Sequence, residues 1–355
     1  MDINQLLLEL TVRKTPADPY GTDLTYEYGS SRREIEGFLI GRMPFDNRQQ
    51  RAIEIIEGIM TLHGKQRLLQ QVALLAQVER GIRALQPYVR DHVVHALLSF
   101  LLGILLNEDY LQHPQTLLDF KWRLAGLLHD VAYPMEVAAN IAEPFTRGIN
   151  DIKRQLGVNA PDIHANIDLK ALSTLQNGVN GFRLIQARLD QWELDIDAAC
   201  EYESSVRSGK ACHGMLGALA ILYVIDLMYQ KYNPKRELRP IYLEDNTDWN
   251  QQHFEDDVVT ACSAIFLHNL PPHCFAGAKI TRTRAPLAFL LKLSDCLQEW
   301  ERPKHDHPNG WPSDRFDIEV NAGGVKLYAA IDEARKSKMR QDIAGCLDAP
   351  DVQII

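Results

Sequence analysis

Apolar residues recur at steps of three and four over much of this chain, and that spacing predicts helices. Between 48 and 85 they fall at Ile53, Ile56, Ile59 and Leu62, then at Leu68, Val72, Leu75 and Val78, as on the buried face of amphipathic helices. The same period runs through 88–106 and 116–132, meets a breaker at Pro134 and resumes over 135–142. Further helices are expected over 213–232, 254–268 and 285–301, the last ended by Pro303 and the sequence KHDHPNGWP. Beyond it the period changes to two. RFDIEV, a turn of Asn-Ala-Gly-Gly, and VKLYAAI read as a β-hairpin, followed by a short charged helix over 333–347.

Two stretches lack a clear period. Residues 13–34 are polar and rich in turn formers, so 1–47 read as an irregular N-terminal arm with a short amphipathic piece near its end. Residues 144–209 turn polar, with a Gln/Asn-rich middle and an acidic run over 193–203, and read as a helical or loop insertion. The expected fold class is mainly α: one helical domain over 48–302 carrying that insertion, and a small α+β tail over 303–355. There is no internal repeat or low-complexity tract.

Composition narrows the choice of function. The 355 residues are 46% hydrophobic and 24% charged, near the average for globular proteins. With 47 acidic and 38 basic side chains the net charge is −9, which argues against a surface built to grip nucleic acid or an anionic membrane. The six cysteines are scattered without a CxxC pair, so neither a zinc ribbon nor a disulfide framework is expected. The opening MDINQLLLELTVRKTP lacks the basic start and long apolar run of an export signal. The most apolar stretch, 93–107, contains His95 and falls short of the roughly 20 apolar residues that a bilayer span needs. A cytoplasmic protein without a membrane partner is the expectation, with 93–107 as a core helix.

Against this background, polar residues inside apolar runs stand out. His92 and His95 share one face of the helix in RDHVVHALLSFLLG; His129-Asp130 closes RLAGLL; His213 opens GMLGALAILYV; His268 closes TACSAIFL; Asp295 sits within PLAFLLKLSDCL. One histidine on an apolar face is usually a hydrogen-bonded core residue, and one aspartate after a helix is usually a cap. Five or six such groups spread over four helices are harder to explain that way, since burying them unpaired costs several kcal/mol. Imidazoles together with carboxylates suit a divalent ion of Mn, Fe, Co, Ni, Zn or Mg, and a carboxylate can bridge two ions.

The order His95, His129-Asp130, His213, His268, Asp295, with the blocks RDHVVHALLSFLLG, LAGLLHDVAYPMEVA, ACHGMLGALAILY, AIFLHNLP and PLAFLLKLSDCLQEWERP, resembles the HD-domain superfamily of metal-dependent phosphohydrolases. The resemblance covers roughly residues 85–302, interrupted by the insertion. It implies an HD-type helical bundle in which His95, His129, Asp130 and Asp295 hold one ion and His213 and His268 a second, with Asp130 bridging. His92 stays open as the first ligand in place of His95, a group behind the ligands, or a substrate contact; the apolar pattern that follows favours His95. Asp130, His129 and His92 are the implied catalytic residues. Cyclic-di-nucleotide phosphodiesterases of the HD-GYP type follow the HD pair with Gly-Lys, whereas this chain has Val131, Ala132 and Tyr133, which speaks against that activity.

The resemblance implies hydrolysis of a phosphoester or phosphoanhydride in a nucleotide or nucleotide-derived signal, by water activated between the two ions. Arg207 and Lys210, just before His213, and Arg282 and Arg284 in TRTR are candidate phosphate-binding cations, with ordinary surface charge as the competing reading. Glu136 is a candidate proton-transfer group or, more simply, a cap; Asn269 either orients a ligand or caps its helix. His164 is either near the site or surface, and His305 and His307 read as solvent-exposed. No phosphate-cradling glycine loop is present. Two other functions stay open: a nucleotide-sensing or scaffold module with little turnover, and a single-strand nuclease, which would need a basic groove with stacking aromatics. A homo-oligomer is compatible with all three.

Overall fold

The computed structural model describes residues 1–10, 32–40, 44–61, 66–85, 91–113, 120–159, 161, 168–176, 178–210, 212–241, 249–300 and 316–355. His164, His305 and His307 lie outside the described residues. Helix α1 (Ile3–Leu10) buries Ile3, Leu7, Leu8 and Leu10, and α2 (Arg32–Ile40) buries Ile35, Phe38 and Leu39. The expectation of an irregular arm is corrected for these two segments: their apolar residues repeat at three- and four-residue steps and give each a face to dock on the core. The stretch 48–85 resolves into α3 (Phe45–Thr61), a 3-10 turn (Gln66–Leu68) and α4 (Leu69–Leu85).

Helix α5 (His92–Leu106) is capped by Asp91, whose carboxylate accepts the Val93 and Val94 N–H groups at 3.0 Å each. Every residue of α5 is buried, which is why its sequence shows no polar face. A π turn (Asn107–Leu111) lengthens it. By length and composition His92–Leu111 and His213–Tyr232 reach what a membrane span requires, where 93–107 alone did not. Their apolar windows are 89% and 72% buried inside the protein.

Helix α6 (Phe120–Leu128) stops before the His129-Asp130 pair, and residues 129–132 form a turn. Pro134 does not break a helix there. It takes the second position of α7 (Tyr133–Gln155), where a missing N–H has no helical partner to lose. Helix α7 then passes through Pro144 instead of stopping near 142, and it leaves Ile141, Phe145, Ile152 and Leu156 exposed among the described residues. Helices α8 (Gly181–Gln191) and α9 (Ala198–Arg207) follow, so the described part of the expected insertion is largely helical. Phe182, Ile185 and Leu189 join the core.

The centre of the bundle is α11 (Thr260–His268), entered through Gln251–His253 and a π turn (Phe254–Val259), with all its residues buried. It packs on α6, on α10 (His213–Tyr232) and on α12 (Pro286–Leu297), while α5 packs on α6 and α12. Helix α12 ends at Leu297, short of the expected 301, because the backbone leaves helical geometry at Gln298 (φ −78, ψ 76).

In the tail, β1 (Phe316–Asn321) and β2 (Gly324–Ala329) form the expected hairpin, with Phe316 opposite Ala329 and Asn321 opposite Gly324. Gly324 has φ +146, and a Cβ there would lie 2.3 Å from the Asp351 carbonyl oxygen, so only glycine fits. Helix α13 (Glu333–Cys346) returns the chain to β3 (Val352–Ile354), which pairs parallel with β2. A three-residue strand is too short to show an alternating pattern. Ile280 ties the tail to the bundle, donating to the Cys346 carbonyl and accepting from the Asp348 N–H, both at 3.0 Å.

Candidate metal centre

The polar interruptions of five apolar runs meet at one place. His95 comes from the second turn of α5, His129 and Asp130 from the turn after α6, His213 from the start of α10, His268 from the end of α11 and Asp295 from the last turn of α12. Their ligand atoms form two groups, His95–His129–Asp130 and Asp130–His213–His268, with atoms within 4.8 Å of one another in each. Asp130 divides its carboxylate between them. Its Oδ2 lies 3.6 Å from His95 Nε2 and 3.5 Å from His129 Nε2, and its Oδ1 lies 3.1 Å from His213 Nε2 and 3.5 Å from His268 Nε2.

Hydrogen bonds on the far side of each ring decide what it offers the centre. His129 Nδ1 donates to the Gly126 carbonyl (3.1 Å), His268 Nδ1 to the Ile265 carbonyl (2.6 Å) and His213 Nδ1 to Glu136 Oε2 (2.6 Å). His95 Nδ1 faces Gln298 Oε1. These acceptors assign the proton to Nδ1 in all four rings, so the inward Nε2 atoms carry lone pairs. The lone pairs crowd one another: His95 and His129 Nε2 are 3.3 Å apart, His213 and His268 Nε2 are 3.1 Å apart, and His95 Nε2 is 3.0 Å from Asp295 Oδ1. Lone pairs this close repel unless a cation or a proton sits among them. The donor set therefore fits divalent metal, with the back-side acceptors fixing each ring as metal-bound histidines require.

Close helix contact makes this possible. A Cβ at Gly214 would lie 2.8 Å from the Ile265 carbonyl oxygen and 3.0 Å from the His268 ring. Glycine directly after His213 lets α10 approach α11 until the two imidazoles meet.

The charges respond to the crowding. Burial pushes the Asp130 carboxyl up, but His129, His213 and His268 outweigh it and hold Asp130 well below the usual carboxylate range. Asp295 is likewise lowered, since His95, His129 and His268 outweigh its burial. Burial opposes charge on His213, yet Asp130 and Glu136 raise it well above the ordinary imidazole value. His268, buried and backed only by a carbonyl, is lowered.

His92 stands outside both groups. Its N–H donates to Glu79 Oε1 (2.7 Å), its Nδ1 lies 2.5 Å from the same oxygen, and its ring stacks on Tyr133 at 3.6 Å between centroids. Of the two candidate first ligands, the structure brings His95 to the centre. His92 instead lines a cavity of about 410 Å³ together with Asp130, His213, Asn269, Lys292 and Asp295. That volume lies in the range of about 300–1,000 Å³ typical of small-molecule sites.

The four expected phosphate-binding cations do not line this cavity. Arg207 and Lys210 are exposed, Arg282 pairs with Asp351 (3.2 Å) and Arg284 with Glu193 (2.6 Å). Ion pairing to their own neighbours, not a ligand, accounts for the two arginines of TRTR. The cations that do line it are Lys292 of α12 and Arg335 and Lys338 of α13. Glu136 serves as the carboxylate behind His213 rather than as a cap, and Asn269 Nδ2 lies 3.1 Å from His213 Nδ1. Glu79 and Gln298 carry no signal in the sequence: one sits in a polar stretch and the other at a helix end. The six cysteines are all free. No protein-family model, curated protein or solved structure matches the chain.

Proposed function

We propose that the chain is a metal-dependent phosphohydrolase of HD-domain type, cleaving a phosphoester or phosphoanhydride. The observation that carries this is the convergence of four imidazole lone pairs and two carboxylates, ring protons turned outward, beside a cavity of small-molecule size. The resemblance of the blocks around His95, His129-Asp130, His213, His268 and Asp295 supplies the reaction class, and nucleotide-type substrates follow from it alone.

In this reading His95, His129, Asp130 and Asp295 hold one divalent ion and Asp130, His213 and His268 a second. Such ions supply Lewis acidity toward a phosphoryl oxygen and an activated water at neutral pH. The protein's own groups do the rest. Glu136 and the Ile265 carbonyl keep the His213 and His268 protons at Nδ1, so that neither ring turns. His92, clamped between Glu79 and Tyr133 at the cavity wall, would deliver a proton to the leaving oxygen. The net charge of −9 is no obstacle, since bound cations bring their own positive field to an anionic substrate.

The test is a hydrolysis screen of nucleotides, cyclic nucleotides and simple phosphoesters with added Mn²⁺, comparing the natural chain with Asp130→Ala and His92→Gln. Phosphate release that Asp130→Ala abolishes, and that His92→Gln slows by about 10²-fold or more, supports the proposal. A metal-loaded protein that releases no phosphate from any of them favours the sensing module instead.

A further inference from the structure

Among the three cations lining the cavity, two are already engaged. Lys292 Nζ donates to the His268 main-chain carbonyl at 2.7 Å, and Asp295 and Asp342 lie near enough to favour its charge. Arg335 Nη2 donates to the Glu299 carbonyl at 3.3 Å and to Glu299 Oε2 at 3.0 Å. Lys338, one turn beyond Arg335, is exposed and makes no ion pair among the described residues.

The carboxylates of the cavity wall sort in the same way. Asp130 and Asp295 face the metal centre, Glu299 is taken by Arg335, and Asp342, one turn from Lys338 on α13, makes no ion pair among the described residues. Lys338 is left as the cation of the wall that neither an ion pair nor a main-chain carbonyl engages among the described residues. Its helix does not float. Met339 and Ile343 are buried, the Arg335–Glu299 pair fastens the first turn to the end of α12, and the main-chain bonds of Ile280 fasten the far end. A long cationic side chain on a fixed helix at a cavity rim is a flexible arm with a rigid base.

Resting on the phosphohydrolase reading, we propose that Lys338 binds an anionic group of the substrate other than the one at the metal centre. The site then selects ligands bearing two separated phosphates over those with one. The tail helix, which lies outside the span of the family resemblance, thereby becomes the specificity wall of the site.

The experiment is titration calorimetry of the metal-loaded full-length chain with a hexose 6-phosphate and with the matching hexose 1,6-bisphosphate, for the natural sequence, Lys338→Gln and Lys338→Glu. The natural chain is expected to prefer the bisphosphate by about tenfold or more, the scale of one charge-assisted contact. Lys338→Glu removes that preference and Lys338→Gln reduces it, while monophosphate affinity and metal content stay unchanged. A preference that survives in Lys338→Glu, or a natural chain that takes up metal and binds both ligands equally, overturns the proposal and leaves the phosphohydrolase reading standing. A natural chain that takes up no metal overturns both.

Discussion

The two halves of the metal centre have the same number of imidazoles but spend their carboxylates differently. Both share Asp130. The half built on His95 and His129 has its second carboxylate, Asp295, 3.0 Å from His95 Nε2, within direct reach of an ion. The half built on His213 and His268 has its second carboxylate, Glu136, behind the His213 ring at Nδ1. In the first half a full negative charge would meet a cation directly; in the second it would act through an imidazole, making His213 a stronger donor. The first half is therefore expected to be the tighter site. The second would leave more of its coordination to water or substrate.

Removing a ligand from each half in turn is the strongest way to break this comparison. His213→Ala is expected to keep one tightly held ion, and His95→Ala to keep one weakly held ion that dialysis removes. Metal analysis before and after dialysis against a weak chelator distinguishes them, and equal retention in the two variants contradicts the assignment of the tighter site.

Smaller changes act behind the ligands. Glu136→Gln should weaken the second half by about 10–100-fold, the usual cost of losing a carboxylate behind a metal-bound histidine. Gln298→Ala removes a neutral acceptor from His95 and should cost the first half less, because hydrogen bonds to charged groups are roughly twice as strong as neutral ones. Competition with a fluorescent chelator reads both affinities. A larger loss from Gln298→Ala would show that charge behind the ring does not govern the second half.

The last change lies behind His92 and leaves both halves of the centre intact. Burial pushes the Glu79 carboxyl from 4.5 up to about 8 and Asp91 from 3.8 up to about 7. Between about 4.5 and 8 the unfolded chain has released the Glu79 proton while the folded chain retains it, so this group's stabilising contribution declines as pH rises through that window. Glu79→Gln should remove that slope. Denaturant unfolding of both proteins at intervals from pH 5 to pH 8.5 measures it, and a stability difference that does not change with pH would contradict the buried, protonated carboxyl.

Much of the centre was legible in the sequence, and what was not has a common cause. His95, His129, Asp130, His213, His268 and Asp295 each interrupt an apolar run, so burial could be inferred for them one by one, and their meeting is what the resemblance to the HD-domain superfamily implied. Glu79 sits in a polar stretch and Gln298 at a helix end, where nothing local marks burial, while Glu136, between Met135 and Val137, reads as a proton-transfer group or a cap. Only the turn at 129–132, which starts α7 beside α10, brings Glu136 to His213. Only the packing of α4 on α5 encloses Glu79. The phosphate-cation expectation went to arginines and lysines near the ligands in sequence, while the cations lining the cavity come from α12 and from a tail helix far along the chain. The path of α7 through Pro144 was hidden for a related reason: its polar composition masked a helical stripe whose apolar members remain exposed.

The central claim is that the inward lone pairs exist to hold divalent cations, and metal content tests it most directly. Elemental analysis of the full-length chain after incubation with Mn²⁺ and desalting should find two ions per chain in the natural sequence and none in Asp130→Ala, because the shared carboxylate serves both halves. A natural chain with no bound metal, or an Asp130→Ala variant that retains both ions, would contradict it.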